Sequence, residues 1–120
     1  MNESSCALAQ RDCVPCRGGV PPMTEAEART LLAELDSNWT LADGAAKLER
    51  TFRFPNFADA LAFVNRIGEL AEAQGHHPDI ELGWGRVRVT LLTHKIGGLS
   101  ESDFILAAKT DALTAERNQP

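Results

Sequence analysis

No apolar run in this chain approaches the ~20 residues a membrane-spanning helix requires, so no membrane span is expected. Positive charge is not in excess either. Lys and Arg number 12 against 17 Asp and Glu, a formal net charge of −5, and a general nucleic-acid footprint is excluded. Cysteine is scarce and odd in number, with Cys6, Cys13 and Cys16 all near the start. The opening "MNESSCALAQRDC" has neither the basic start nor the continuous apolar stretch of a secretory signal. A disulfide framework is therefore not expected, and the chain reads as cytoplasmic. It also has no glycine-rich phosphate loop and no nucleophile elbow. What remains, in 120 residues that are 43% hydrophobic and 24% charged, is an ordinary globular composition. That is room for one modest core.

Cys13 and Cys16 have the Cys-x-x-Cys spacing of half a zinc site or a redox pair. Zinc would need two further ligands. Cys6 belongs to a loose tail, and the nearest histidine is His76, far along the chain. Residues 1–23 therefore read as a loosely structured leader with free thiols, and no metal is expected. The folded domain is expected over 24–115, with a tail at 116–120.

Within that domain, helical and alternating patterns follow one another. Thr24 and Glu27 form a capping box signature ahead of Ala28, Leu31, Leu32 and Leu35, so the first helix is expected over 24–35. A strand begins at Trp39 and turns at Asp43-Gly44, a common hairpin signal. In "KLERTFRF", Leu48, Phe52 and Phe54 alternate with Glu49, Thr51 and Arg53, and Pro55 ends the strand. Asn56 can cap a second helix with Asp59 in its first turn. Its apolar stripe is Phe57, Ala60, Leu61, Val64, Ile67, Leu70 and Ala71, and Gly75 is a natural stop. "DIEL" and "RVRVTLLT" form a second hairpin across Gly83-Trp84-Gly85. Ser100 then caps a third helix over about 100–115, with Asp103 as its capping acid and Phe104, Ile105, Ala108 and Leu113 inward.

The order α-β-β-α-β-β-α implies an α+β fold: a four-stranded antiparallel sheet with helices packed on one face. Such a sheet keeps open edges, which invite pairing with a second copy.

All three histidines fall in "GHHPDIELGWGRVRVTLLTH", Gly75 to His94. Neighbours on an extended segment point opposite ways, and Pro78 holds His77 extended, so His76 and His77 are not expected to grip one ion together. His76 follows a helix C-terminus, where the dipole favours an imidazolium, and Glu72, four residues earlier, adds an opposite charge. Both effects suit a proton donor and oppose metal ligation, which needs neutral imidazole. The parity of His94 is opposite to that of Val87, Val89 and Leu91. Three histidines bordering one sheet suit general acid–base work near neutral pH. The residues by themselves reach no further than an acid–base pocket.

The segment from Glu72 to Asp103, "EAQGHHPDIELGWGRVRVTLLTHKIGGLSESD", resembles the pterin-4a-carbinolamine dehydratases. Glu72, His76, His77, Pro78, Thr93, His94, Gly98, Leu99, Ser100 and Asp103 fit that family's pattern without a gap. Trp39 and "FRFPNFADALAF" are similar as well. The resemblance covers roughly residues 24–113. It implies an enzyme that dehydrates 4a-hydroxytetrahydropterins to quinonoid dihydropterins, recycling the pterin of aromatic amino-acid hydroxylases. It implies no cofactor, and a homodimer or homotetramer. By that resemblance His76, His77 and His94 would be catalytic; the helix-end setting of His76, which favours the cation, makes it the expected proton donor and leaves His94 as the base or relay. Glu72 and Asp103 would orient the imidazoles or hold the pterin edge. Pro78 and Thr93 fall in the same substrate-binding motif, and Trp39 would be a pocket wall or core residue. Two departures stand out: Trp84-Gly85 where a Tyr-Asn pair is common, and Gly75 where animal members tend to have Asp. The alternative is a non-catalytic protein of the same fold, since some relatives act as transcriptional coactivators or assembly chaperones.

Overall fold

The computed structural model describes residues 8–13 and 20–117, with side chains as far as Thr114. Helix α1 spans Glu25–Leu32 and carries the complete capping box, Glu27 N donating to Thr24 Oγ1 and Thr24 N to Glu27 Oε1. It stops three residues short of the expected end. The bonds Glu34 N to Leu31 O and Leu35 N to Leu32 O tighten the last turn, and Leu35 is still buried.

Strands β1 (Thr40–Ala42) and β2 (Lys47–Arg53) form the first hairpin, and β3 (Asp79–Gly83) and β4 (Arg86–Leu91) the second. Between the hairpins runs α2 (Phe57–Gln74), and after them α3 (Glu101–Arg117). The four strands make one antiparallel sheet in the order β1-β2-β4-β3, so the two hairpins meet along β2 and β4. This is the expected α+β arrangement. Alternation sets the faces: Val87, Val89 and Leu91 are buried while Arg86 and Arg88 are exposed. Leu48, Phe52 and Phe54 likewise face the core with Phe63, Ile67, Phe104 and Ile105 of the helices. Phe63 lies at the centre of an aromatic cluster, 4.8 Å from Phe52 and 5.1 Å from Phe54 between ring centroids.

The buried face of α2 differs from the expected stripe. Ala60, Phe63, Ile67 and Ala71 are buried, whereas Phe57 and Leu61 remain 44% and 41% exposed. The helix is apolar over a wider arc than the sheet can cover, and sequence periodicity does not say where that cover ends.

The described part of the leader is held rather than loose. Leu8 is 3% exposed in the core, and Lys109 Nζ donates to Ala9 O at 2.8 Å. Cys6 and Cys16 lie outside the described residues, so the Cys-x-x-Cys reading is represented by Cys13 alone, as a free thiol. Among the described residues no helix is long and apolar enough to cross a membrane.

The Trp84-Gly85 departure has a simple physical reading. Gly85 has φ +65°, and a Cβ there would stand 2.8 Å from Phe54 O. Asparagine tolerates left-handed backbone as glycine does, but its Cβ would press on Phe54 O here, so this turn is shaped for glycine. Gly85→Ala should cost about 1–3 kcal/mol, read as a lower urea midpoint.

Candidate active site

The site begins where α2 ends. Gly75 takes φ +65° and closes the helix, its N–H and that of His76 both directed at Ala71 O. The chain then turns so that His76 meets the first turn of α3. Its Nε2 lies 2.6 Å from Asp103 Oδ1. Asp103 is fully buried, and its other oxygen accepts from Thr93 Oγ1 at 2.8 Å and Ser100 N at 2.9 Å. The Ser100 contact is half of the expected capping box. In place of the other half, Ser100 Oγ lies 2.8 Å from Thr93 Oγ1.

Proton counting orders this network. The Thr93 hydroxyl donates its one proton to Asp103, so Ser100 Oγ–H must donate to Thr93. A carboxylate with donors on both oxygens is satisfied as the anion, so the remaining donor is His76 Nε2–H. That leaves Nδ1 as the ring nitrogen of His76 open to a substrate.

His77 turns the other way, as alternation requires. Its Nε2 pairs with Glu72 Oε2 at 2.5 Å on the surface, the two side chains being 60% and 78% exposed. Glu72 is thus the partner of His77, and the carboxylate of His76 is Asp103. The spacing of four residues put Glu72 within reach of His76, but the left-handed turn at Gly75 rotates His76 away from it. Pro78 is half-buried and leads into β3.

His94 is not on a strand. β4 stops at Leu91, the bridge Thr93–Gly98 closes a small loop, and His94 opens a 3-10 turn to Ile96. The residue is exposed, and its imidazole makes no hydrogen bond among the described residues. The register Asp79↔Thr90 puts the start of β3 beside the end of β4. His76, His77 and His94 therefore flank one end of this hairpin, as the sequence led one to expect.

Trp39 belongs elsewhere. It is 2% exposed, packs edge-on to Phe52, and donates through Nε1 to Asp111 at 2.8 and 3.0 Å. Asp111 is eight positions beyond Asp103 on α3, roughly 12 Å along the axis, so Trp39 is a core residue in this chain. Arg50, on the inner face of β2, lies 2.7 Å from Asp111 and stacks 4.3 Å from the Phe52 ring centroid.

Burial pushes Asp111 from 3.8 up to about 6, against the lowering effects of the Trp39 N–H and Arg50. The folded chain therefore holds this proton more tightly than the unfolded one. The stabilising contribution is whole below pH ~4 and is lost as pH rises to ~6, by up to about 3 kcal/mol. Asp111→Asn should flatten the stability curve between pH 4 and 6, measured by urea unfolding.

Two signals for this site were only partly readable in the sequence. Ser100 and Asp103 have capping-box spacing, which says nothing of the histidine that Asp103 also holds. Gln74, at the end of α2, bonds to Cys13 N and Asp12 and carries no motif of its own. A surface cleft of about 290 Å³ is lined by Asp59, Ala62, Phe63 and Arg66. It sits on the first half of α2, away from the histidines that follow its other end. Among the described residues no group of three His, Cys, Asp or Glu could hold a metal ion.

The family model for pterin 4 alpha carbinolamine dehydratase matches residues 21–113. The chain belongs to the pterin-4a-carbinolamine dehydratase family. A Methylococcus capsulatus relative that carries this enzyme name provisionally is 56% identical over 112 residues, 93% of this chain and 97% of its own length. A second, from Aromatoleum aromaticum and named in the same way, is 58% identical over 88% of this chain and 94% of its own length. Among solved structures, a transcriptional coactivator/pterin dehydratase from Brucella melitensis is 36% identical. It superposes with a TM-score of 0.71 over 77% of this chain and 97% of that one. A pterin dehydratase-like protein identified as a RuBisCO assembly factor in the alpha-carboxysome is 30% identical, with a TM-score of 0.55 over 63% and 88% of the two chains. The dehydratase family thus includes proteins described by other roles, and for this chain the residues at the hairpin end carry the functional question.

Proposed function

We propose that the protein dehydrates 4a-hydroxytetrahydropterins to quinonoid dihydropterins, in the cytoplasm, as a hydro-lyase that recycles the pterin of aromatic amino-acid hydroxylases. The observation that carries this reading is the His76–Asp103 pair. An imidazole held at 2.6 Å by a fully buried carboxylate, which is itself fixed by Thr93 and Ser100, has one defined ring nitrogen to offer.

The reaction breaks the C4a–O bond, and the hydroxyl departs as water after taking a proton. A ring N–H gives its proton to a base, and its electron pair forms the new C=N bond. Two groups must therefore act, one giving a proton and one taking it. His76 acts as the imidazolium: Nε2–H stays bonded to Asp103, which orients the ring, and the Nδ1 proton goes to the leaving hydroxyl, so that the ring ends neutral. His94, exposed and with no side-chain hydrogen bond among the described residues, takes the ring proton or relays it. His77 and Glu72 form the outer wall, with Pro78 and Thr93 shaping the floor. A positioned acid and base contribute ~10²–10⁴-fold in rate. No cofactor enters this scheme, since the proton transfers are within reach of imidazole.

A homodimer or homotetramer is part of the proposal. The open edges of the sheet are β1, of three residues, and β3, of five. The large exposed apolar groups among the described residues are Trp84 at the β3–β4 turn, Val20, and Phe57 and Leu61, the last two lining up with Val64 and Gly68 on the outer face of α2. A 13.0 kDa particle in light scattering at micromolar concentration would refute it.

The rival is a non-catalytic binding or assembly protein of the same fold, favoured by the roles given for the Brucella and carboxysome neighbours. A stopped-flow assay on a freshly generated 4a-carbinolamine separates the two. Acceleration over the spontaneous reaction is expected, and a wild-type chain without it would favour the rival.

A further inference from the structure

Asp103 belongs to α3, whereas His76 follows α2 through Gly75, and the joint there is held by the backbone bonds of Gly75 and His76 to Ala71 O. Gly75 has no side chain and nothing within 4 Å of where a Cβ would be, so no packing at that residue fixes the direction in which His76 leaves α2. The residue before it is pinned twice. Gln74 Oε1 accepts from Cys13 N at 2.8 Å, and Gln74 Nε2 donates to Asp12 Oδ1 at 3.3 Å.

The same short segment is tied to α3. Cys13 Sγ donates to Ser102 O at 3.5 Å, one residue before Asp103. Arg11 pairs with Glu101 at 2.7 Å, and Lys109 Nζ reaches Ala9 O at 2.8 Å. Leu8 anchors the other end in the core at 3% exposure. Desolvation is the main cause that pushes the Cys13 thiol up, opposed chiefly by Lys109, with the charge of Asp103 adding to the rise. The thiol is thus kept in the S–H form that the contact with Ser102 O needs.

We infer that residues 8–13, acting through Gln74, form a strap that positions His76 against Asp103. The strap joins the last residue of α2 to the first turn of α3 behind the pair. Its consequence for rate rests on the dehydratase reading above, whereas its consequence for the imidazole proton rests on geometry alone. Positioning matters here because an acid–base group must be held within ~0.5 Å and 10–20° of its working geometry. A small swing about Gly75 exceeds that tolerance while leaving the fold intact. Gln74 is then a positioning residue, acting through His76.

The test uses the full-length chain with Gln74→Ala. Solvent exchange of the His76 Nε2 proton is followed by NMR, with the Trp39 Nε1 proton, bound to Asp111, as the report on global opening. The His76 proton is expected to exchange at least ~10-fold faster and kcat to fall by ~10-fold or more with KM within about twofold, as misplacement without lost binding predicts. The Trp39 proton should be unchanged. Gln74→Glu combined with Asp12→Asn exchanges acceptor and donor between the two side chains and should restore both readings. Unchanged His76 exchange in Gln74→Ala would overturn the inference, as would equal acceleration of the Trp39 proton. If the His76 proton responds but the wild type lacks dehydration activity, the strap stands and the proposed function fails.

Discussion

His76→Ala and His94→Ala are each expected to fold and to lose dehydration rate by on the order of 10²–10⁴-fold, measured by stopped-flow on a 4a-carbinolamine. Neither side chain belongs to the core. His94 is exposed and makes no side-chain hydrogen bond among the described residues, while His76 is half-buried at the rim. The two losses should differ in kind. Removing His76 strands Asp103 with Thr93 and Ser100 still bound to it, so some stability is lost with the rate. Removing His94 breaks no described hydrogen bond, so its effect should fall on rate alone. Glu72→Ala offers the contrast. Its partner His77 lies in the open, and an exposed ion pair contributes roughly 0–1 kcal/mol, so stability should hardly move. Near-normal turnover in His94→Ala would remove that residue from the mechanism and leave His76 to act with water.

Asp103→Ala should be the most destabilising of the site substitutions. It removes a fully buried carboxylate and leaves the Ser100 N–H, the Thr93 hydroxyl and His76 Nε2–H facing a void. Each buried donor left without its partner costs about 1–3 kcal/mol, so a loss of about 3 kcal/mol or more is expected. Urea unfolding should show that loss as a lower midpoint with an unchanged slope. Dehydration should fall with it even where the variant is still folded, because His76 then has no fixed orientation. Asp103→Asn keeps the volume but carries donors on one side, so His76 can stay bound only by accepting at Nε2, which moves its proton to Nδ1 and reverses the polarity of the nitrogen that faces the substrate. A variant within 1 kcal/mol of wild type would mean that Asp103 is not the anchor described.

Much of this was legible in advance because the signals are local. Thr24-x-x-Glu27, Asn56-x-x-Asp59 and Gly75 mark helix ends through backbone bonds a few residues away, and alternation in β2 and β4 assigns each side chain to a face without knowledge of the partner strand. Asp103 could be read as a capping acid on the same basis, and it is one. Phe57 and Leu61 show where such reading stops. Their spacing marks them as apolar helix positions, but whether they are covered depends on how far the sheet extends beneath α2. Trp39 shows it again, since Asp111 and Arg50, which hold it in the core, come from elements far apart in the chain.

By itself the sequence determined the order of elements, the antiparallel sheet, and the gathering of the histidines at one hairpin end. Those follow from repeat periods and turn residues within short windows. Only the tertiary structure decided which carboxylate serves which histidine. Glu72 and Asp103 were both candidates, and the choice depends on the left-handed turn at Gly75 and on α3 coming to rest against the end of α2. A partner chosen across twenty-seven residues is set by how the elements pack together, and no local period in the chain encodes it.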